Sequence, residues 1–151
     1  MNFLLKELFL YPSAKLANFF INGMFLSSAE KGYIEILTSS TLIKITENCS
    51  GITFFLISLF IFCFCFYKKG NKKETLLQTF LTILLITYLT SIVANSTRII
   101  SAFYLKKISN KLFSVQIDNF VHFSLGTVIF FTFFVLAYSL LERIFNVNKK
   151  Y

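Results

Sequence analysis

Three long stretches of this chain, residues 51–67, 76–94 and 120–141, contain no Lys, Asp or Glu. A membrane helix needs roughly 17 to 25 mostly apolar residues, and all three reach that length. They cannot share one small soluble core. Of the 151 residues 56% are apolar and the mean hydropathy is +0.69, which is more apolar surface than a domain of this size can hide from water. The expected fold class is an all-α integral membrane protein with three transmembrane helices, forming a single membrane-embedded domain over residues 1–151.

Charge gives these spans a direction. Between the first two lie Lys68, Lys69, Gly70, Asn71, Lys72 and Lys73, a short basic hairpin of the kind that stays on the cytoplasmic side. The first span then runs inward, the second returns outward to deliver Asn95 to Arg98, and the third runs inward again. Arg143, Lys149 and Lys150 after the third span agree with a cytoplasmic end, and together the two basic segments outweigh Lys106, Lys107 and Lys111 in the intervening outer loop. The formal charge of +8 is concentrated in runs beside apolar segments, which is a topology signal rather than a nucleic-acid footprint. The protein is expected in the cytoplasmic membrane, with the lipid bilayer as a partner and no nucleic acid.

The N-terminal third differs in character. Lys6, Glu7, Pro12 and Lys15 interrupt any long apolar run, and Pro12 suits the first turn of a helix, where its missing N–H costs little. Leu16, Phe19, Phe20, Gly23 and Leu26 share a helical side, so residues 12–28 are expected to form an interfacial helix on the outer leaflet or, alternatively, a short fourth span. Two β-branched stretches, 33–37 and 41–46, flank Thr38-Ser39-Ser40 and predict an outer-face β-hairpin over 33–46. The hairpin leads into Glu47-Asn48-Cys49, at the outer edge of the first span.

This topology brings Cys49, Arg98 and His122 to the same membrane surface, at the ends of three separate spans. Singly each has a plain explanation: a small packing thiol, a snorkelling anchor, an amphipathic ring. Together they are a nucleophile, a base or thiolate partner, and a cation for a developing oxyanion, the set that thiol acyl transfer needs. Asp118, four residues before His122, either orients the imidazole or caps a helix. Asn95 either orients Arg98 or caps the second helix. Cys63 and Cys65 lie within hydrocarbon and read as packing or lipid-facing residues. The three cysteines form no disulfide framework, no zinc spacing is present, and no cofactor is implied.

The motifs around these residues carry a resemblance. Cys49-Ser50-Gly51-Ile52 resembles the Cys-Ser-Gly motif of the exosortase and archaeosortase family, Asn95-Ser96-Thr97-Arg98-Ile99 its Asn-x-x-Arg-Ile motif, and His122-Phe123-Ser124-Leu125-Gly126 its His-x-x-x-Gly motif. The likeness covers about residues 12 to 135. Asn48 departs from the Ala that commonly precedes the family's cysteine, and the chain resembles a compact member of the exosortase K type without extra N-terminal helices. The resemblance implies a transpeptidase that cuts a C-terminal sorting signal (a short motif, a transmembrane helix and a basic tail) and passes the protein to an envelope acceptor. Cys49 would be the nucleophile, Arg98 and His122 its catalytic partners, and Ser50, Gly51, Asn95 and Asp118 supporting residues. Two other outcomes stay open: the same thiol chemistry ending in hydrolysis, or a non-enzymatic membrane scaffold in which Arg98 and the outer lysines bind anionic headgroups.

Overall fold

The computed structural model describes residues 6–27, 34–38, 42–45, 51–67, 73–112 and 119–147. A π-helical turn, Lys6–Leu10, runs into helix α1, Tyr11–Ile21; three short strands follow, β1 (Met24–Ser27), β2 (Ile34–Leu37) and β3 (Leu42–Ile45). The rest is helical: α2 (Ile52–Tyr67), α3 (Lys73–Leu112) and α4 (Asn119–Val147). Among the described residues, two helical segments are long and apolar enough to cross a membrane, Leu77–Ile108 and Ser124–Ile144. Helix α2 is equally apolar but, at 16 residues, rises only about 24 Å, short of a bilayer's roughly 30 Å hydrocarbon core.

The second apolar segment does not end near residue 94. Helix α3 continues to Leu112 and is 40 residues long, so Lys106 and Lys107 lie on a helix and not in a loop. The polar cluster that reads as a helix end is satisfied by the helix itself. Ser96 Oγ donates to the Ile92 carbonyl at 2.7 Å and Thr97 Oγ1 to the Val93 carbonyl at 2.9 Å. Hydroxyls bonded back to the preceding turn leave the backbone ladder intact. Asn95 is therefore in a helix interior, which removes its reading as a cap.

The first helix is shorter than expected. Pro12 does sit in its first turn, but α1 stops at Ile21, where Asn22 takes a left-handed conformation (φ 54°) and its N–H bonds the Asn18 carbonyl at 2.9 Å. Eleven residues rise about 17 Å, too little to span a bilayer alone, so the fourth-span alternative falls on length. Met24 to Ser27, expected to continue the helix, instead form β1. Gly23 permits this change of direction: a Cβ there would lie 2.6 Å from Ile36 Cγ2 and 3.1 Å from the Leu37 carbonyl oxygen.

The expected hairpin is present as β2 and β3, antiparallel with Ile34 opposite Ile45 and Glu35 opposite Lys44. β1 adds to its other edge, Phe25 opposite Ile36, giving a three-stranded sheet in the order β1-β2-β3. Ile34, Ile36 and Ile45 face inward and form one core with Leu10, Ala14, Ala17 and Ile21 and with Ile99 and Phe103 of α3. The buried side of α1 is thus its small-residue side. Ser96 Oγ also donates to the Ser13 carbonyl at 3.0 Å, a backbone approach that a bulky residue would prevent. Phe19 and Phe20 point away from the protein.

A second core joins α2, α3 and α4 at the end away from the sheet. Phe62 and Phe66 pack with Ile83, Ala137 and Leu141, and Phe62 stacks on Phe134 at 5.0 Å. Cys63 and Cys65 are half-buried at its margin, in the packing role expected of them. The π-helical turn is pinned elsewhere, by Tyr88 Oη donating to the Leu8 carbonyl at 2.8 Å and by Phe9 against Phe55 at 5.1 Å.

Because Ile36 is fully buried, Gly23→Ala forces a methyl into filled space. It should destabilise the purified protein by about 1–3 kcal/mol, as overpacking does. A lowered thermal midpoint in lipid nanodiscs is expected, and Ile36→Ala in the same chain should make the loss less than additive. Additive losses would show that the two residues do not meet.

Candidate functional site

Gly51, the last residue of the Cys-Ser-Gly segment, immediately precedes α2 and has φ +72°, a left-handed conformation that glycine adopts without steric cost. Its carbonyl accepts both the Phe55 N–H, closing the first turn of α2, and the Ser91 hydroxyl from α3, each at 3.0 Å. A Cβ on Gly51 would stand 3.2 Å from Asn95 Cβ and 3.3 Å from Ser91 Oγ. Ser91 and Asn95, four residues apart, lie on one face of α3, and both are buried. The start of α2 is therefore seated on α3 at Asn95.

Arg98 follows three residues later on α3 and turns toward α4. A Cβ built on Gly126 would lie 2.9 Å from Arg98 Nε, 3.3 Å from Cδ and 3.5 Å from Cζ. The arginine side chain occupies the space that any larger residue at position 126 would fill. One helical turn farther along α4, the Phe130 ring lies 5.7 Å beneath Arg98 Cζ. Phe130 in turn stacks on Phe54 of α2, with centroids 4.8 Å apart and planes 13° from parallel.

The sequence-predicted residues fall into three groups. Asn95, Arg98 and Gly51 are brought together, with Asn95 wholly buried and Arg98 partly so. Arg98, expected just past the end of a helix, is instead within α3. His122 lies in the first turn of α4, one turn before Gly126. Cys49, Ser50 and Asp118 lie outside the described residues. No group of three His, Cys, Asp or Glu side chains gathers among the described residues. Sequence reasoning passed over Ser91, Phe54 and Phe130, which lie in apolar spans. A signal was there: Ser91 is one turn before Asn95, and Phe130 one turn after Gly126.

The three motif segments thus meet on α3, two of them through a glycine whose missing side chain is replaced by a residue of the third. A family model for the transmembrane exosortases, Exosortase_EpsH, matches residues 9–139. The chain belongs to that family. The exosortase match begins in the π-helical turn and ends within α4, so it includes every contact described above. Neither the curated proteins nor the solved structures gave a match.

Gly51→Ala must hold a non-glycine residue in a left-handed conformation while its methyl presses on Asn95 and Ser91. The expected cost is about 1–3 kcal/mol, read as a lowered thermal midpoint in nanodiscs. An unchanged midpoint would mean that the chain can enter α2 without that bend.

Proposed function

We propose that this chain is a membrane-embedded cysteine transpeptidase acting on C-terminal sorting signals, with Cys49, Arg98 and His122 as its catalytic residues. The observation that supports it is the seating of the Cys-Ser-Gly and His-x-x-x-Gly segments on either side of Arg98, through Gly51 and Gly126. Cys49 precedes Gly51 by two peptide units. Family membership supports the same reading.

Helix lengths support a site at the outer membrane surface. From Leu77, where the apolar part of α3 begins, to Arg98 is a rise of about 32 Å. From His122 to Arg143 along α4 is again about 32 Å. Both match the hydrocarbon thickness of a bilayer, roughly 30 Å. If the basic segment 68–73 and Arg143 are cytoplasmic, Arg98 and His122 stand at the opposite surface, and α2 is the third span. The part of α3 beyond Arg98, with α1 and the sheet packed on Ile99 and Phe103, then rises above the membrane, and the exposed Phe19 and Phe20 suit α1 to the outer leaflet interface.

The chemistry follows from the side chains. A neighbouring positive charge favours the Cys49 thiolate over the thiol. The thiolate adds to the scissile carbonyl, and the Arg98 guanidinium, permanently charged and forked, stabilises the oxyanion. The tetrahedral adduct collapses with expulsion of the amine, which takes a proton from His122, leaving a thioacyl enzyme. An acceptor amine or hydroxyl then attacks the thioester, returning the proton to His122 and freeing Cys49; water in that place would give hydrolysis. Asn95 is placed to orient Arg98, and Asp118 to orient His122. Substrates carry a short motif, a transmembrane helix and a basic tail, and the acceptor is an envelope component.

A protein from the same genome with such a C-terminus, coexpressed with this chain, provides the assay. Cys49→Ala should abolish its processing without reducing accumulation, Cys63→Ala and Cys65→Ala should not, and Arg98→Lys should slow it on the order of 100- to 1000-fold, the effect of losing one oxyanion donor. Processing by Cys49→Ala at the wild-type rate would favour a scaffold instead.

Orientation has its own test. A membrane-impermeant maleimide applied to intact cells, or to spheroplasts where an outer membrane intervenes, should label Cys49 and spare Cys63 and Cys65. Labelling of Cys49 only after lysis would invert the topology.

A further inference from the structure

We propose that Phe130, braced by Phe54, is a positioning residue that fixes the Arg98 guanidinium in a slot on α4, and this rests on the reading of Arg98 as the catalytic cation. Gly126 and Phe130 are one turn apart and so lie on one face of α4. Arg98 touches both: the stem and Nε occupy the space over Gly126, and the guanidinium carbon stands over the Phe130 ring at 5.7 Å. The glycine makes room for the side chain, and the ring sets where its charged end lies.

The ring is itself held. Phe54, in the first turn of α2 and three residues after Gly51, stacks on Phe130 nearly in parallel at 4.8 Å. The nucleophile-bearing segment and the arginine are therefore tied to the same pair of rings, and a shift of α2 relative to α4 would move Phe130 beneath Arg98. A cation is drawn to the negative face of an aromatic ring, more strongly where water is scarce. An arginine uses this face particularly well, because a planar, weakly hydrated guanidinium can stack while its N–H groups remain aimed outward in its plane. Such an arrangement leaves donors free to point at a substrate oxygen and removes the rotamer freedom that would blur their aim. A leucine at position 130 would fill comparable space without the quadrupole, whereas a tyrosine would retain the ring face.

Two measurements on the full chain in nanodiscs test this. The sequence contains two arginines, Arg98 and Arg143, so protein labelled with nitrogen-15 arginine gives two Nε–H resonances, assigned by the loss of one in Arg143→Lys. The Arg98 resonance should carry an upfield ring-current shift that disappears in Phe130→Leu, is diminished in Phe54→Leu and persists in Phe130→Tyr. In the coexpression assay, Phe130→Leu should slow processing roughly 10- to 30-fold, the scale of a desolvated cation–π contact, and Phe130→Tyr should recover most of that rate. In an Arg98→Lys background, Phe130→Leu should cost much less than it does alone. An Arg98 resonance unmoved by Phe130→Leu, or equal processing by the leucine and wild-type proteins, would overturn the proposal. The resonance does not depend on Cys49, so failure of the transpeptidase reading and failure of the slot would be separate results.

Discussion

The arrangement depends on two places where helix backbones come closer than side chains normally allow. At Gly51 and at Gly126 the volume of an absent Cβ is taken by α3, by Asn95 in one case and by Arg98 in the other. In lipid there is little hydrophobic force to hold helices together, because the solvent is as apolar as the side chains, and close packing with a few polar contacts must do so. The Ser91 hydroxyl on the Gly51 carbonyl is a contact of that kind. A glycine in each motif is thus a packing requirement at the point where a functional side chain leaves the neighbouring helix.

Helix α3 has to serve three neighbours with one rotational phase. At about 100° per residue, Arg98, Ser91 and Asn95 fall within one sector of about 60°, facing α4 and α2, and Ile99, Phe103 and Ser96 fall within the next, facing α1 and the sheet. Ile99, directly after Arg98, is buried in the outer core. Rotating α3 to relieve a contact at Arg98 would pull Ile99 and Ser96 from their partners. The outer layer therefore acts on the site although its residues do not enter it: α1 and the sheet fix the angle at which Arg98 leaves its helix.

Much of this was legible in the sequence, and what was not had a physical cause. The hairpin over 33–46 showed as β-branched alternation around a Thr-Ser-Ser turn, and α4 begins within a residue of its expected start because an uncharged run marks it. The second span was cut short because Asn95, Ser96, Thr97 and Arg98 read as a polar boundary. Hydroxyls that bond their own helix, and an asparagine buried against a glycine, are polar in composition but not in exposure. In α1 the bulky residues suggested the packing face, yet the protein uses Ala14 and Ala17, because close approach to Ser96 favours small side chains over large ones. β1 was missed since Met24-Phe25-Leu26-Ser27 is too short to show a period, and the signals that end the helix, Asn22 and Gly23, are only two residues.

The proposed site couples these observations through distance along the helices. Arg98 lies about one bilayer thickness from the start of the apolar part of α3, while the helix itself continues well beyond it. A cation at the end of a helix would lean into solvent on a flexible stem, as a snorkelling lysine does. Inside a continuous helix, with Gly126 beneath its stem and an aromatic pair beneath its charged end, the same cation is held between the lipid-level helices and the outer core. That placement suits a group meant to meet charge developing on a substrate oxygen, because the cost of fixing its geometry is met when the protein folds and not when the substrate reacts.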